Sequence, residues 1–144
     1  MVRSMRNALF CLVLLLGLTQ AGQTHAQSEA DRAAIQGVIS HQLQAFQRDD
    51  ADTAFADASP GIQAQFGTPE NFLAMVERGY PPVYRPRQRS FGELHSEDGE
   101  LIQDVDIIAT DGSLWRALYA MEQQPDGSWK ISGCQLVRAP SVGA

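Results

Sequence analysis

Residues 84–138 read YRPRQRSFGELHSEDGELIQDVDIIATDGSLWRALYAMEQQPDGSWKISGCQLVR, and the fold is decided there. The steps Asp98-Gly99, Asp111-Gly112 and Asp126-Gly127 divide the stretch into four runs in which apolar and polar residues alternate. Alternation at period two belongs to half-buried strands, and Asp-Gly between such runs is the strongest local hairpin signal because both positions of the favoured turn need positive φ. The runs Tyr84 to His95, Glu100 to Ala109, Leu114 to Gln123 and Trp129 to Arg138 therefore predict an antiparallel four-stranded meander. Pro81, Pro82 and Pro86 make the first run an edge strand, since proline cannot donate to a central ladder.

Working outward from that stretch, the period changes to that of a helix. Ile35, Val38, Ile39, Gln42, Leu43 and Phe46 fall three and four apart, on one stripe of a helix that runs from Ser28 to about Arg48, with Ser28 and Asp31 resembling a capping box. A second, short helix runs to about Ala58 and is stopped by Ser59-Pro60-Gly61. Thr68-Pro69-Glu70 starts a third, with Phe72, Met75 and Val76 as its apolar stripe. Helices first and strands afterwards give an α+β class: N-terminal helices packed on one face of a curved, four-stranded antiparallel meander sheet.

The first residues follow a different grammar. Arg3 and Arg6 precede an apolar run from Ala8 to Leu18 and a small-residue site at Thr24-His25-Ala26. That order is the pattern of a cleaved secretory signal, and the run is too short to span a bilayer. The expected organisation is a signal over residues 1–26, cleaved after Ala26 with Ala21 as the lesser option, one domain over 27–139, and a frayed tail over 140–144. The mature protein is expected in the periplasm or secreted, with no membrane segment. Cys11 leaves with the signal, so Cys134 remains alone, unable to form an internal disulfide and placed by its apolar surroundings in the interior. The net charge of −6 becomes more negative when Arg3 and Arg6 are lost, and Lys130 is the single lysine. Nucleic acid and anionic lipid, which need clustered cations, are poor partners for such a surface.

The elements Ala45-Phe46 to Asp49-Asp50, Ala54-Phe55-Ala56, Ala58-Ser59-Pro60, Phe66-Gly67, Met75-Val76 and Gly79-Tyr80, followed by Asp126-Gly127-Ser128-Trp129-Lys130-Ile131-Ser132-Gly133-Cys134, together resemble the bacterial domain of unknown function 4864. The resemblance covers about residues 31–138. It implies membership of the nuclear-transport-factor-2-like superfamily, also called cystatin-like, whose cone-shaped α+β fold holds its ligand cavity between a curved sheet and the helices. That fold hosts isomerases, dehydratases, polyketide cyclases and pure binding modules, so the resemblance implies architecture and leaves activity open. The Asp-His dyad used by dehydratases and cyclases of the superfamily has no match here.

If all three turns are tight, one sheet face carries Leu94, Leu101, Val105, Ile107, Leu114, Leu118, Cys134 and Leu136 with Arg116. The other carries Phe91, Ile102, Ile108, Trp115, Tyr119, Met121, Trp129, Ile131 and Val137 with Asp104 and Asp106. Both faces are more apolar than a half-solvated sheet requires, which predicts a homodimer through the face the helices leave open. Asp104 and Asp106 are the weak catalytic candidates, as carboxylates whose burial would suit acid-base work, with Tyr119 as hydrogen-bond donor and Trp115 as a stacking wall. The alternative is that Asp104 and Asp106 pair with Arg89 and Arg87 across the first hairpin. Arg85, Arg87 and Arg89 stand two apart, so that Arg87 and Arg89 either receive an anionic group or protect an edge strand. His41 lies off the helical stripe and His95 lies beside a turn, both expected in solvent. No spacing suggests a metal, a cofactor, a phosphate loop or a nucleophile elbow.

Three functions follow as expectations. The first is an exported, non-enzymatic module binding a small apolar or amphipathic molecule or a protein. The second is a cofactor-free acid-base enzyme with Asp104 or Asp106 as base and Tyr119 as donor. A purely structural dimer is the third. A pocket, and the groups that point into it, separate them.

Overall fold

The structure, a computed structural model, describes residues 23–139. The expected leader up to residue 22, the cleavage option after Ala21 and the tail 140–144 lie outside the described residues. Five helices, α1 (Gln23–Gln47), α2 (Ala51–Ala56), α3 (Pro60–Phe66), α4 (Pro69–Gly79) and α5 (Pro81–Tyr84), precede four strands, β1 (Gln88–Glu97), β2 (Glu100–Ile108), β3 (Leu114–Gln123) and β4 (Trp129–Arg138). The strands form one antiparallel sheet in sequential order. Among the described residues no helix is long and apolar enough to cross a membrane.

Helix α1 is already running at Ser28, so that residue is not its cap. Its stripe lies where the spacing puts it: Ile35, Ile39, Leu43 and Phe46 are buried against the sheet, each contributing roughly 1.5–3 kcal/mol of apolar transfer. Just past the end of α1 at Gln47, Asp49 takes a left-handed φ of 54°, a conformation that non-glycine residues hold only with help. Arg85 supplies that help, donating from Nη1 to the Phe46 carbonyl at 2.6 Å and from Nη2 to both Asp49 carboxylate oxygens at 3.1 Å, while the Tyr84 hydroxyl donates to the same carboxylate.

Two elements depart from the sequence reading. Ser59-Pro60-Gly61 starts a helix instead of merely stopping one: the Ser59 hydroxyl accepts from the Ile62 amide at 3.4 Å and Pro60 occupies the first turn of α3, where its missing N–H costs nothing. Tyr80-Pro81-Pro82 forms the single turn α5, so β1 begins at Gln88 instead of Tyr84. The start of α4 is as expected, with Thr68 accepting from the Asn71 amide at 3.2 Å.

The sheet has one tight turn and two wider ones. Asp98 and Gly99 both take positive φ, at 50° and 82°, and Glu97 pairs with Glu100. The second hairpin instead closes at Ile108–Leu114 and the third at Gln123–Trp129. Closure at Ile108–Leu114 shifts the parity of β3 against β2 by one residue, and a one-residue shift exchanges faces. Bulges between Phe91 and Leu94 in β1, and beside Ala120 and Met121 in the β3–β4 pair, shift parity again. The face assignments made on three tight turns are therefore corrected. The face toward the helices carries Phe91, Leu94, Leu101, Val105, Ile107, Trp115, Ala117, Tyr119, Met121, Ile131, Cys134 and Leu136, all within or against the core. The outer face carries Ile102, Asp104, Asp106, Ile108, Leu114, Arg116, Leu118 and Val137, none of which joins that core.

Both sheet edges are managed. On β4, residues 57–59 add a short parallel bridge, with Ser59 N donating to Ile131 O at 2.8 Å and Ile131 N to Asp57 O at 2.9 Å. On β1 the bulge breaks a flat edge. Gly92 sits in it because a Cβ there would come within 3.2 Å of the Asp104 Cβ.

Candidate functional site

Between the inner sheet face and the helices lies a cavity of about 220 Å³. Its floor is built from Phe46 of α1, Phe72 and Val76 of α4, Tyr119 of β3 and Ile131 of β4, all buried. The more exposed lining residues, Ile62, Gln65 and Phe66 of α3 and Met75 of α4, frame its mouth. Helix α3 has no fully buried residue, so its apolar side chains act as wall and not as core. Phe72 organises the region, with the rings of Phe46, Phe55 and Phe66 at 5.6–6.2 Å in tilted and edge contacts, geometries that aromatic quadrupoles favour.

The polar groups of the lining are few, and most are engaged. Gln42 donates to the Ala54 carbonyl at 3.0 Å. The Tyr80 hydroxyl donates to the Cys134 carbonyl at 3.0 Å. The Tyr119 hydroxyl is different: it is fully buried, no described residue meets it in hydrogen-bond geometry, and the polar group beside it is the Cys134 thiol, a weak acceptor. Leaving such a group unpaired costs about 1–3 kcal/mol, so the fold alone does not account for it. Burial holds the Tyr119 hydroxyl well above the ordinary tyrosine range, and the neighbouring Cys134 thiol adds to this. The thiol, itself desolvated, is pushed up to about 12. Both groups thus stay protonated at neutral pH. Cys134 is half-buried as a residue with its thiol on the cavity wall, and a protonated thiol is a poor nucleophile.

The sequence candidates separate. Tyr119 lines the cavity, but Asp104 and Asp106 lie on the opposite face, so the structure does not bring these carboxylates to the tyrosine. Nor do they pair with Arg89 and Arg87. Asp106 accepts from Arg116 Nε at 2.8 Å, and Asp104, only 7% exposed, lies 3.1 Å from His95 Nε2 and 4.0 Å from Arg116 Nε. The partner is Arg116 on β3 because Asp106 is cross-strand to it in the register. His95 is thus half-buried and engaged, and His41, exposed as expected, sits 2.7 Å from Asp57 Oδ2. Trp115 donates to Ser113 Oγ at 2.9 Å and carries the Arg138 guanidinium 4.8 Å above its ring, outside the cavity.

The three arginines also diverge. Arg85 caps α1, Arg87 is exposed with its amide on the Ile108 carbonyl, and Arg89 is half-buried, reaching Ser40 Oγ at 3.5 Å. They form no common anion cradle. Two buried glutamines carry structure: Gln42 as above, and Gln103, whose Nε2 donates to the carbonyls of Gly92, Glu93 and Asp104 at 3.0–3.3 Å and so satisfies the β1 bulge. The signal for Gln103 was its position two residues from Leu101 and Val105, a lone polar residue on an apolar face.

The sequence model of the family described as Domain of unknown function (DUF4864) matches residues 28–144. No curated protein matches the chain.

Proposed function

The chain belongs to the DUF4864 family, and from that premise we propose that it is an exported, non-enzymatic module that binds a small apolar or amphipathic molecule between its helices and its sheet. One observation carries the reading: an apolar cavity whose wall holds a fully buried hydroxyl that no described residue meets in hydrogen-bond geometry, with only the weakly accepting Cys134 thiol beside it. Binding cavities combine apolar walls with a few oriented polar groups, and that is the composition found. The acid-base alternative requires a carboxylate beside Tyr119. With Asp104 and Asp106 on the other face, the cavity offers no such base.

The cavity position and the bulges that bend β1 and β4 support a nuclear-transport-factor-2-like cone, the finer form of the α+β architecture. Export is proposed from the signal pattern at the N-terminus, and natural material that retains Met1 would overturn it. A second copy is proposed to meet the outer face, where Ile108, Leu114, Leu118 and Val137 are half-exposed.

The binding reading is tested with cumene and acetophenone. A ligand that binds only the folded state raises the unfolding midpoint by mass action. At millimolar concentration at least one of them should raise the midpoint of the protein, and neither should do so for Met75→Trp, which narrows the mouth. A wild-type midpoint that stays fixed with both compounds sinks the reading.

A further inference from the structure

We propose that the cavity selects a neutral ligand of one ring or a short branched chain that carries a hydrogen-bond acceptor, a ketone or ester carbonyl, placed to receive the Tyr119 hydroxyl. This rests on the binding reading above and adds the ligand's chemistry to it.

Size sets the first limit. A cavity of 150 Å³ holds benzene, so about 220 Å³ suits a molecule of about nine non-hydrogen atoms. Charge sets the second. Among the described residues that line the cavity none is Asp, Glu, Lys, Arg or His, and a carboxylate or ammonium moved there would lose its hydration with no counter-charge to replace it. The cations around it stand outside the lining: Arg89, whose charge reaches Tyr119, lies on Ser40 Oγ at 3.5 Å, Arg85 on the end of α1, Arg116 on the outer-face aspartates, and Lys130 on the Ala56 carbonyl at 2.7 Å.

Hydrogen bonding sets the third. Tyr80 spends its donor on the Cys134 carbonyl and Gln42 donates to the Ala54 carbonyl, both fixed by the fold. Among the described residues the Tyr119 hydroxyl is buried with no acceptor in hydrogen-bond geometry and only the weakly accepting Cys134 thiol beside it, and buried donors without good acceptors are rare because they are costly. A ligand oxygen satisfies it. A site built around a buried donor discriminates against the isostere that lacks the acceptor, since binding that isostere leaves the donor unpaired for good.

Acetophenone, cumene and benzoate have the same outline of a ring with a three-atom branch and differ in carrying a carbonyl, no polar atom, or a charge. Titration calorimetry of the full chain should show acetophenone binding about tenfold more tightly than cumene, with benzoate weakest. Tyr119→Phe, whose fold is checked by circular dichroism, should bring acetophenone down to the level of cumene and leave cumene within about twofold, as only the acceptor contact is lost. Equal affinities for acetophenone and cumene in the wild type, a preference that survives in Tyr119→Phe, or benzoate binding most tightly would overturn the assignment while leaving the cavity a binding site. Absence of binding by all three would overturn the binding reading itself.

Discussion

The two faces of the sheet are made from alternate residues of the same four strands, yet they do different chemistry. At the centre of the inner face the polar groups are neutral, Gln103 closing the β1 bulge and Tyr119 waiting in an apolar cavity, while Arg89 and Arg138 stand toward the end of that face, on Ser40 Oγ and over the Trp115 ring. On the outer face the polar groups include carboxylates, each paired, Asp104 with His95 and Asp106 with Arg116. Gln103 and Asp104 are neighbours in sequence and stand on opposite sides of this division. Water explains it. Asp106 and Arg116 keep part of their hydration while pairing and the buried Asp104 is held between His95 and Arg116, whereas an ion in the cavity would lose its hydration with no lining charge to pair with. Which face a residue occupies, and not its type, decides whether it can meet a ligand in the cavity.

The largest test of that division uses adjacent residues of one kind. Ile107 is 2% exposed on the inner face, and Ile108 is half-exposed on the outer. Ile107→Ala should cost about 2–5 kcal/mol in urea unfolding, and Ile108→Ala under about 1 kcal/mol in dilute protein. If a second copy covers the outer face, the Ile108→Ala cost grows with protein concentration, because association is linked to folding. A cost independent of concentration removes the proposed pairing, and equal costs in dilute protein would erase the contrast between the faces.

A smaller effect should appear in alkali. The unfolded chain loses the Cys134 proton near its ordinary value of 9.0, and the folded chain keeps it until about 12. Between those limits the folded state binds more protons, so stability present below pH 9 falls as pH rises. The wild type should lose on the order of 1 kcal/mol per pH unit more than Cys134→Ala between pH 9 and 11. Parallel curves for the two proteins would mean that the thiol is solvated and the inner face wetter than described. Only the difference between the two proteins reads the interior, because the surface Tyr84 hydroxyl, raised by its hydrogen bond to Asp49, is shared by both.

What was legible in the sequence was local. Asp98-Gly99 forms the tight turn its composition demands, Thr68-Pro69 starts α4, and the limits of β3 and β4 coincide with the alternating runs. What was not legible was whatever depends on counting across a gap. Asp111-Gly112 marks a hairpin, but the ladder closes at Ile108–Leu114, and no rule of composition distinguishes that closure from one a residue tighter. The error carried Tyr119 to the side of the aspartates and made an acid-base pair that the register dissolves. Arg85 was hidden for another reason: its partners, Phe46 and Asp49, lie across the tertiary fold, so spacing within its own segment pointed to a row of arginines instead of a cap. Tyr119 was found as a candidate, although its significance, a donor without an acceptor, exists only once the helices have closed over it.

The smallest expected effect is also the sharpest. Removing a hydroxyl that is bonded within the fold should cost about 0.5–1.5 kcal/mol, and Tyr80→Phe, which breaks the contact with the Cys134 carbonyl, should show a loss of that order. Tyr119→Phe removes a hydroxyl that meets no partner in hydrogen-bond geometry among the described residues and has only the weakly accepting Cys134 thiol beside it. In the absence of added ligand its unfolding free energy should be unchanged or higher by up to about 1 kcal/mol, since a desolvated orphan is exchanged for an apolar ring of the same shape. The ordering of the two variants matters more than either value. Should Tyr119→Phe prove the more damaging, the hydroxyl has a partner in the folded protein, its polarity belongs to the architecture like that of Gln103, and the inner face holds nothing in reserve for a ligand.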